Sequence, residues 1–360
     1  MEKIKKLKQI FKKKQIDGYL IPKNDEFFSE YISDHNDRLY YMSNFSGSYG
    51  FCLILKNKNY LFVDGRYTLQ AMSQSGKFFK VLTMPNKMPY DILKNKRISI
   101  GFDPKLFTRK TLNLFLNKNN CKFKPLNLNL VDQIWKRETK NNINKFYHLP
   151  KQSVGSYHLS KINKIVSYMK KKRADYQLIT ASENNAWLLN IRGGDSKYAP
   201  IPYSHILIDA EKNIKFFCNL KKISTSFKKH FKKIEFIEIK LMSKILSQIN
   251  QKIFIVDRST CSIYFENIVL KNNKILLCQD PIYHFKAIKT KREIENIKAA
   301  HIHDGVALTK YLFWLKNNFY KKKITEISAS QKLYEFRKRN AKFKFLSFPT
   351  ISGSGPNGAI

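Results

Sequence analysis

A few residues in this chain have the types and spacing for chemistry. His301, His303 and Asp304 form an HxHD cluster, whose imidazoles and carboxylate could ligate a metal or carry a proton. Gly353-Ser-Gly355-Pro-Asn-Gly358 matches GxGxxG, a spacing that can cradle a pyrophosphate. Asn44 to Gly50 and Asp64-Gly-Arg-Tyr67 are glycine-punctuated turns. Each has a plainer reading. On a helix, positions i and i+2 point about 200° apart, so His301 and His303 cannot share one metal. His301 falls on an apolar stripe and reads as a core histidine. A dinucleotide fingerprint needs a following helix and an acid about twenty residues on, and Pro356 has no N–H to offer. The glycine segment Ser352, Gly353, Ser354, Gly355 therefore reads as a tight turn in an active-site wall, where glycine lets substrate approach the backbone. The first-hairpin turns read as turns with capping side chains. The sequence contains no GxSxG elbow, HExxH or P-loop, so neither a nucleophile triad nor a self-contained metal site can be assembled from it.

The elements that must position these residues begin with an internal repeat. Lys3–Ile21 aligns without a gap on Lys161–Ile179, an offset of 158 (161 − 3). Both read as amphipathic helices that hand over to a short strand after an aspartate. Each copy continues into a β-hairpin, with turns at Lys56–Asn59 and Ala210–Asn213. Each then has a strand ending at an aspartate, in RISIGFDP and KIFIVDRS, and a further helix. The expectation is two copies of one α/β unit, residues 1–130 and 150–285, with Asn141–Val154 as linker. A third region starts near Lys286. Thr290–Asn317 reads as a long helix with Ile294, Ile297, His301, Gly305, Leu308, Leu312 and Leu315 on one face. Thr325 is a candidate N-cap for a helix over 326–339, followed by a strand over Lys344–Ile351. Residues 286–360 alone leave that helix face and a β-edge uncovered.

The chain has 360 residues and a formal net charge of +40, with 43% hydrophobic and 14% aromatic residues. That is enough apolar material for packed cores. The excess charge is lysine spread along the whole length amid abundant asparagine. Specific base and phosphate recognition leans on clustered arginine, so the charge reads as composition and a specific nucleic-acid partner is not expected. Weak, salt-sensitive polyanion affinity would still follow. The five cysteines are scattered, with no CxxC, which argues for a reducing compartment and a cytoplasmic location. The N-terminus has no uninterrupted apolar core of a signal peptide. No stretch reaches the length of a membrane span, so no membrane partner is expected.

Several segments resemble aminopeptidase P, the Xaa-Pro aminopeptidases of the pita-bread, creatinase-like metallopeptidases. They are Ser29-Glu-Tyr-Ile32, Phe45-Ser-Gly-Ser48, Asp64 to Ala71, Val131-Asp-Gln-Ile-Trp135, Ala186 to Gly193, Ala300 to Ala307 and Ser347 to Gly353. The resemblance spans the chain and implies the three-domain branch. Its fold class is α/β (α+β): two repeated creatinase-type N-terminal α/β domains followed by the beginning of a pita-bread peptidase domain, 286–360. It implies removal of an N-terminal residue preceding proline. It implies two divalent ions, usually manganese, held by two Asp, one His and two Glu, with a metal-bound hydroxide attacking the scissile carbonyl. It implies peptides with proline at position two as substrates and a homodimer as the assembly. It marks Glu30, Arg38 and Arg66 as positions within the family's N-terminal motifs. The family's catalytic and metal residues match no position here and are expected beyond Ile360. The chain on its own is thus expected to be an inactive fragment that binds no metal. The competing reading is a non-catalytic pita-bread module that binds peptides or proteins.

Overall fold

A computed structural model describes residues 2–116, 120–137 and 143–358. Its first unit starts on helix Glu2–Lys14, which buries Ile4, Leu7 and Phe11 at i, i+3, i+7 and leaves Lys5, Lys6, Lys12 and Lys13 exposed. The corresponding helix, His158–Lys171, buries Ile162, Ile165, Val166 and Met169 in the same way. Both helices are followed by a residue in the left-handed region, Gln15 at φ 52° and Arg173 at φ 52°. Those positions are again 158 apart (173 − 15).

The strands of the first unit are β1 (Gly18–Pro22), β2 (Gly50–Leu55), β3 (Asn59–Asp64), β4 (Lys80–Met84), β5 (Ser99–Phe102) and β6 (Lys122–Pro125). After a short strand β7 (Tyr147–His148), the second unit supplies β8 (Tyr176–Ile179), β9 (Ile191–Arg192), β10 (His205–Asp209), β11 (Ile214–Cys218), β12 (Ile234–Glu238), β13 (Ile253–Val256) and β14 (Lys274–Leu277). The first sheet has the order β4-β3-β2-β1-β5-β6 and the second β12-β11-β10-β8-β13-β14. Pairing directions match strand for strand: the central hairpin and its inner neighbour are antiparallel, and all outer pairs are parallel. The repeat legible in the sequence is therefore a repeat of topology.

One detail shows why the aspartate after each first helix recurs. The Asp17 carboxylate accepts the Ser99 N–H at 2.9 Å, and the Asp175 carboxylate accepts the Ile253 N–H at 2.8 Å. Each carboxylate satisfies the first amide of the parallel strand beside it, which otherwise has no ladder partner. Apolar clusters cover both faces of each sheet, as a sheet with parallel crossovers requires.

The two units meet where the strands β5 and β13 end. Thr108 and Ser262 form an isolated antiparallel bridge, and the Ile263 and Tyr264 amides donate to Phe107 and Pro104 carbonyls at 2.8 and 3.0 Å. Thr108 and Ser262 are equivalent positions: they lie 154 apart (262 − 108), as do the strand-end aspartates Asp103 and Asp257 (257 − 103). Equivalent residues facing each other antiparallel mark an approximate two-fold axis, as in an isologous dimer interface.

The segment expected to be a linker does more than connect. Residues 141 and 142 lie outside the described residues, but β7 pairs antiparallel with β9 and Lys151–Val154 forms a helical turn. Pairing with β9 gives this stretch hydrogen-bond partners that its composition did not announce. Gly155 ends the turn at φ 72°. It also carries the next region: the Thr290 hydroxyl donates to the Val154 carbonyl at 3.1 Å, and Asn296 donates to Ser153 at 2.9 Å. A Cβ on Gly155 would sit 2.5 Å from Thr290 Oγ1. Gly155→Ala is expected to cost about 1–3 kcal/mol through left-handed strain and this clash. Amide exchange should show protection falling first around Thr290 and Ser153; unchanged protection there would show that the junction tolerates the added methyl.

The long helix is Lys291–Asn318, capped by Thr290 in a capping box with Glu293. A second helix, Glu326–Lys338, starts at the expected cap Thr325. Lys344–Ile351, expected as a strand, has no strand structure. Among the described residues no strand lies beside it to complete a ladder, and an isolated strand has no hydrogen-bond partners. No helix among the described residues is long and apolar enough to cross a membrane.

Candidate functional site

The glycine segment is a turn folded onto the start of helix Glu326–Lys338. The Glu326 carboxylate accepts the Ser354 amide at 2.5 Å and the Asn357 side-chain amide at 3.2 Å. Gly355 has φ 54°, and a Cβ on Gly353 would lie 2.8 Å from the Asn357 carbonyl. Both glycines are thus needed for the turn to close. Ser352, Gly353, Ser354 and Gly355 are all exposed, so this surface is open to a ligand on its outer side.

The HxHD cluster does not assemble. His301, expected in a core, is exposed, as are His303 and Asp304. The face carrying His301 meets no covering element among the described residues: Ile294, Ile297, Leu308 and Leu312 are each at least 40% exposed. Asp304 is held by Arg337 in a two-bond ion pair at 2.6 and 3.1 Å. A groove of about 540 Å³ beside that pair is lined by His303, Asp304, Arg337 and Phe343. Among the described residues no group of three or more His, Cys, Asp or Glu could hold a metal ion. The described residues do not fit a two-metal centre.

The N-terminal motif positions lie in different settings. Arg38 is 3% exposed and bonds bidentately to Asp132 at 2.8 and 2.9 Å and to Glu26 at 2.6 Å. Burial opposes its charge, but Asp132 and Glu26 outweigh burial and raise its pKa above the ordinary arginine value. Arg137 also grips Asp132. Arg66 is exposed and pairs with Asp64 at 2.6 Å, and Glu30 is exposed. No hydrogen bond or ion pair joins Glu30, Arg38 and Arg66 among the described residues. Arg38 closes Val131–Trp135 onto the first core, where Trp135 stacks on Tyr41 at 4.6 Å.

Sequence reasoning missed a set of buried polar groups around the two strand ends. Asp103 accepts Asn129 and the Lys105 amide, both at 2.9 Å. Asp257 accepts the Ser259 and Asp280 amides at 2.8 and 2.9 Å. The signal was present: an aspartate at the same place in both repeats. Asp280 accepts Gln177 and Asn184 at 2.9 and 2.7 Å, and burial pushes its pKa from 3.8 up to about 6. His205 is buried and its Nδ1 lies 3.1 Å from the Thr180 carbonyl. Burial pushes its pKa down to about 4, so the ring is neutral and Nδ1 carries the proton donated to Thr180.

Asp280 gives a sign that can be measured. The folded state holds this proton more tightly than the unfolded chain does, so the contribution is fully present below about pH 4. It is lost as pH rises through about 6, a change on the order of 3 kcal/mol at 1.36 kcal/mol per unit. A carbon-detected titration of the Asp280 carboxyl should have its midpoint near 6. A midpoint near 4 would show that water reaches the group.

Family models described as "Creatinase/Prolidase N-terminal domain" match residues 3–134 and 137–293. A probable Xaa-Pro aminopeptidase P from Laccaria bicolor is 31% identical over 100% of this chain and 58% of its own length. Xaa-Pro aminopeptidase ApepP of Drosophila melanogaster is 31% identical over 96% of this chain and 59% of its own length. Xaa-Pro aminopeptidase 1 of Dictyostelium discoideum is 31% identical over 100% of this chain and 61% of its own length. The chain thus spans about three fifths of the length of these relatives. The crystal structure of X-prolyl aminopeptidase from Caenorhabditis elegans, described as a cytosolic enzyme with a di-nuclear active site, superposes with a TM-score of 0.88 at 24% identity. It covers 99% of this chain and 64% of its own. With two creatinase-type domains of matching topology and a similarity that runs on through the long helix and the glycine turn, the chain belongs to the aminopeptidase P family.

Proposed function

We propose that these residues work in an Xaa-Pro aminopeptidase, removing the N-terminal residue before a proline. The observation that carries this is the 31% identity over the whole chain to proteins named for that activity. The parse is 1–130 and 150–285 as two creatinase-type domains, and 286–360 as the opening of the peptidase domain.

The role of the residues present is structural and positional. Ser352 to Gly355 form an exposed backbone wall against which a peptide can lie. Arg38 serves the first domain's architecture as a buried clamp, Arg66 holds its turn by pairing with Asp64, and Glu30 lies on the exposed surface of that domain. In the whole enzyme two divalent ions, manganese by family resemblance, would supply the nucleophile. By family resemblance their ligands are two Asp, one His and two Glu that match no position here, and the proposal places them on a segment that accompanies these residues in the active polypeptide. The whole enzyme takes peptides with proline at position two, works in the cytoplasm and assembles as a homodimer.

The test is a chimera in which the Drosophila relative's segment beyond the matched region follows this chain. With manganese it is expected to release the first residue from Xaa-Pro tripeptides and to leave Xaa-Ala analogues uncut. A folded, metal-loaded chimera that cleaves neither would defeat the proposal.

A further inference from the structure

The interface between the two units forms a half-open cavity that the peptidase reading does not use. It has a volume of about 260 Å³ and is lined by residues of both units, among them Phe27, Lys105, His205, Lys240, Ser243 and Phe265. Clefts between domains that are mostly apolar with a few placed polar groups are where small ligands bind. Here the apolar part is aromatic and rigid. Phe27 stacks on the His205 ring at 5.2 Å, and Phe265 meets that ring edge-on at 5.5 Å. Phe27 also stacks on Tyr203 at 4.6 Å, which fixes it across the junction.

The charged groups at this cavity are unequal. Its acid, Glu26, is already bonded to the buried Arg38 at 2.6 Å. Its two cations are exposed and have no carboxylate partner among the described residues. Lys105 lies over the Tyr264 ring at 4.9 Å, and Lys240 sits in a short helical turn on the opposite wall. The net field is positive above an aromatic floor. We infer that this cavity binds a small monocarboxylate with an aromatic or branched apolar body, the body against Phe27 and Phe265 and the carboxylate between Lys105 and Lys240. A cationic ligand is disfavoured because the acid it would need is spent on Arg38. Because both units line the cavity, an occupant holds them together and stabilises the fold by linkage.

Phenylacetate is the probe, titrated into the full 360-residue chain by ligand-observed NMR, with phenylacetamide and benzylamine as the neutral and cationic comparisons. Saturable phenylacetate binding is expected, about tenfold tighter than phenylacetamide, with the same loss in the double variant Lys105→Gln, Lys240→Gln. Ser243→Trp should fill the cavity and abolish binding. If that variant does not fold, as judged by circular dichroism, the double variant of two exposed lysines still decides the matter. Absence of saturable binding to the unaltered chain would overturn the inference. So would equal affinity for phenylacetate in the double variant, or a preference for benzylamine.

Discussion

Arg38→Met is expected to destabilise the first unit by about 3 kcal/mol. The guanidinium is 3% exposed and makes three charged hydrogen bonds, to Asp132 and Glu26. Removing one partner of a buried ion pair leaves the other uncompensated, which typically costs about 3–5 kcal/mol. The lower figure applies because the Asp132 and Glu26 side chains keep 31% and 35% of their exposure and can recover some hydration. Arg38→Lys should recover part of the loss, since an ammonium cannot reproduce the planar two-bond contact with Asp132. Denaturant unfolding followed at Trp135, which stacks beside this cluster, would read the effect. A midpoint unchanged in Arg38→Met would show that Val131–Trp135 closes on the core by apolar packing alone.

Glu266→Ala is expected to cost about as much, but between the units. Glu266 is fully buried and accepts Arg109 of the first unit at 3.0 Å and Arg258 of the second at 2.9 Å. Deleting it strands two cations at the junction beside the Thr108–Ser262 bridge. Both arginines are over a third exposed and can turn to water, so about 2–3 kcal/mol is expected. The signature is qualitative as well: calorimetry should change from one shared transition to two, because among the described residues the Glu266 carboxylate is the ionic tie between the units. Arg109→Ala should show a weaker form of the same splitting, since Arg258 still neutralises the carboxylate. One unsplit transition in Glu266→Ala would mean that apolar packing dominates the junction.

How much of this was legible beforehand differs by element. The repeat was readable because each copy must bury one helix stripe against one sheet, which imposes the same apolar spacing twice. Asp17 and Asp175 stand out for the same reason, since a carboxylate is needed where a parallel strand begins. Thr325 was readable as a cap from its own side chain, whereas Thr290, which reads as the first residue of the long helix, is in fact its cap. What failed was whatever depended on partners distant in sequence. The stripe around His301 predicts a core position, but a stripe shows only that a face is apolar, not that anything covers it. Lys344–Ile351 has strand composition but no neighbouring strand among the described residues. The β7–β9 pairing is set by backbone bonds that leave little compositional trace. The interunit cavity combines Phe27 with His205 and Phe265, and no local pattern connects residues so far apart. At the site itself the glycine turn was legible from its spacing, whereas the contribution of Glu326 was not.

The proposed function gives these residues the supporting domains and one wall of an Xaa-Pro aminopeptidase whose metal-binding residues lie on an accompanying segment. It is tested most directly by assaying release of the first residue from an Xaa-Pro tripeptide, with and without manganese. The purified 360-residue chain and its chimera with the relative's remaining segment are compared side by side. No cleavage and no bound manganese pair are expected for the chain alone, and manganese-stimulated, proline-specific cleavage is expected of the chimera. Manganese-stimulated, proline-specific cleavage by the 360-residue chain itself would contradict it.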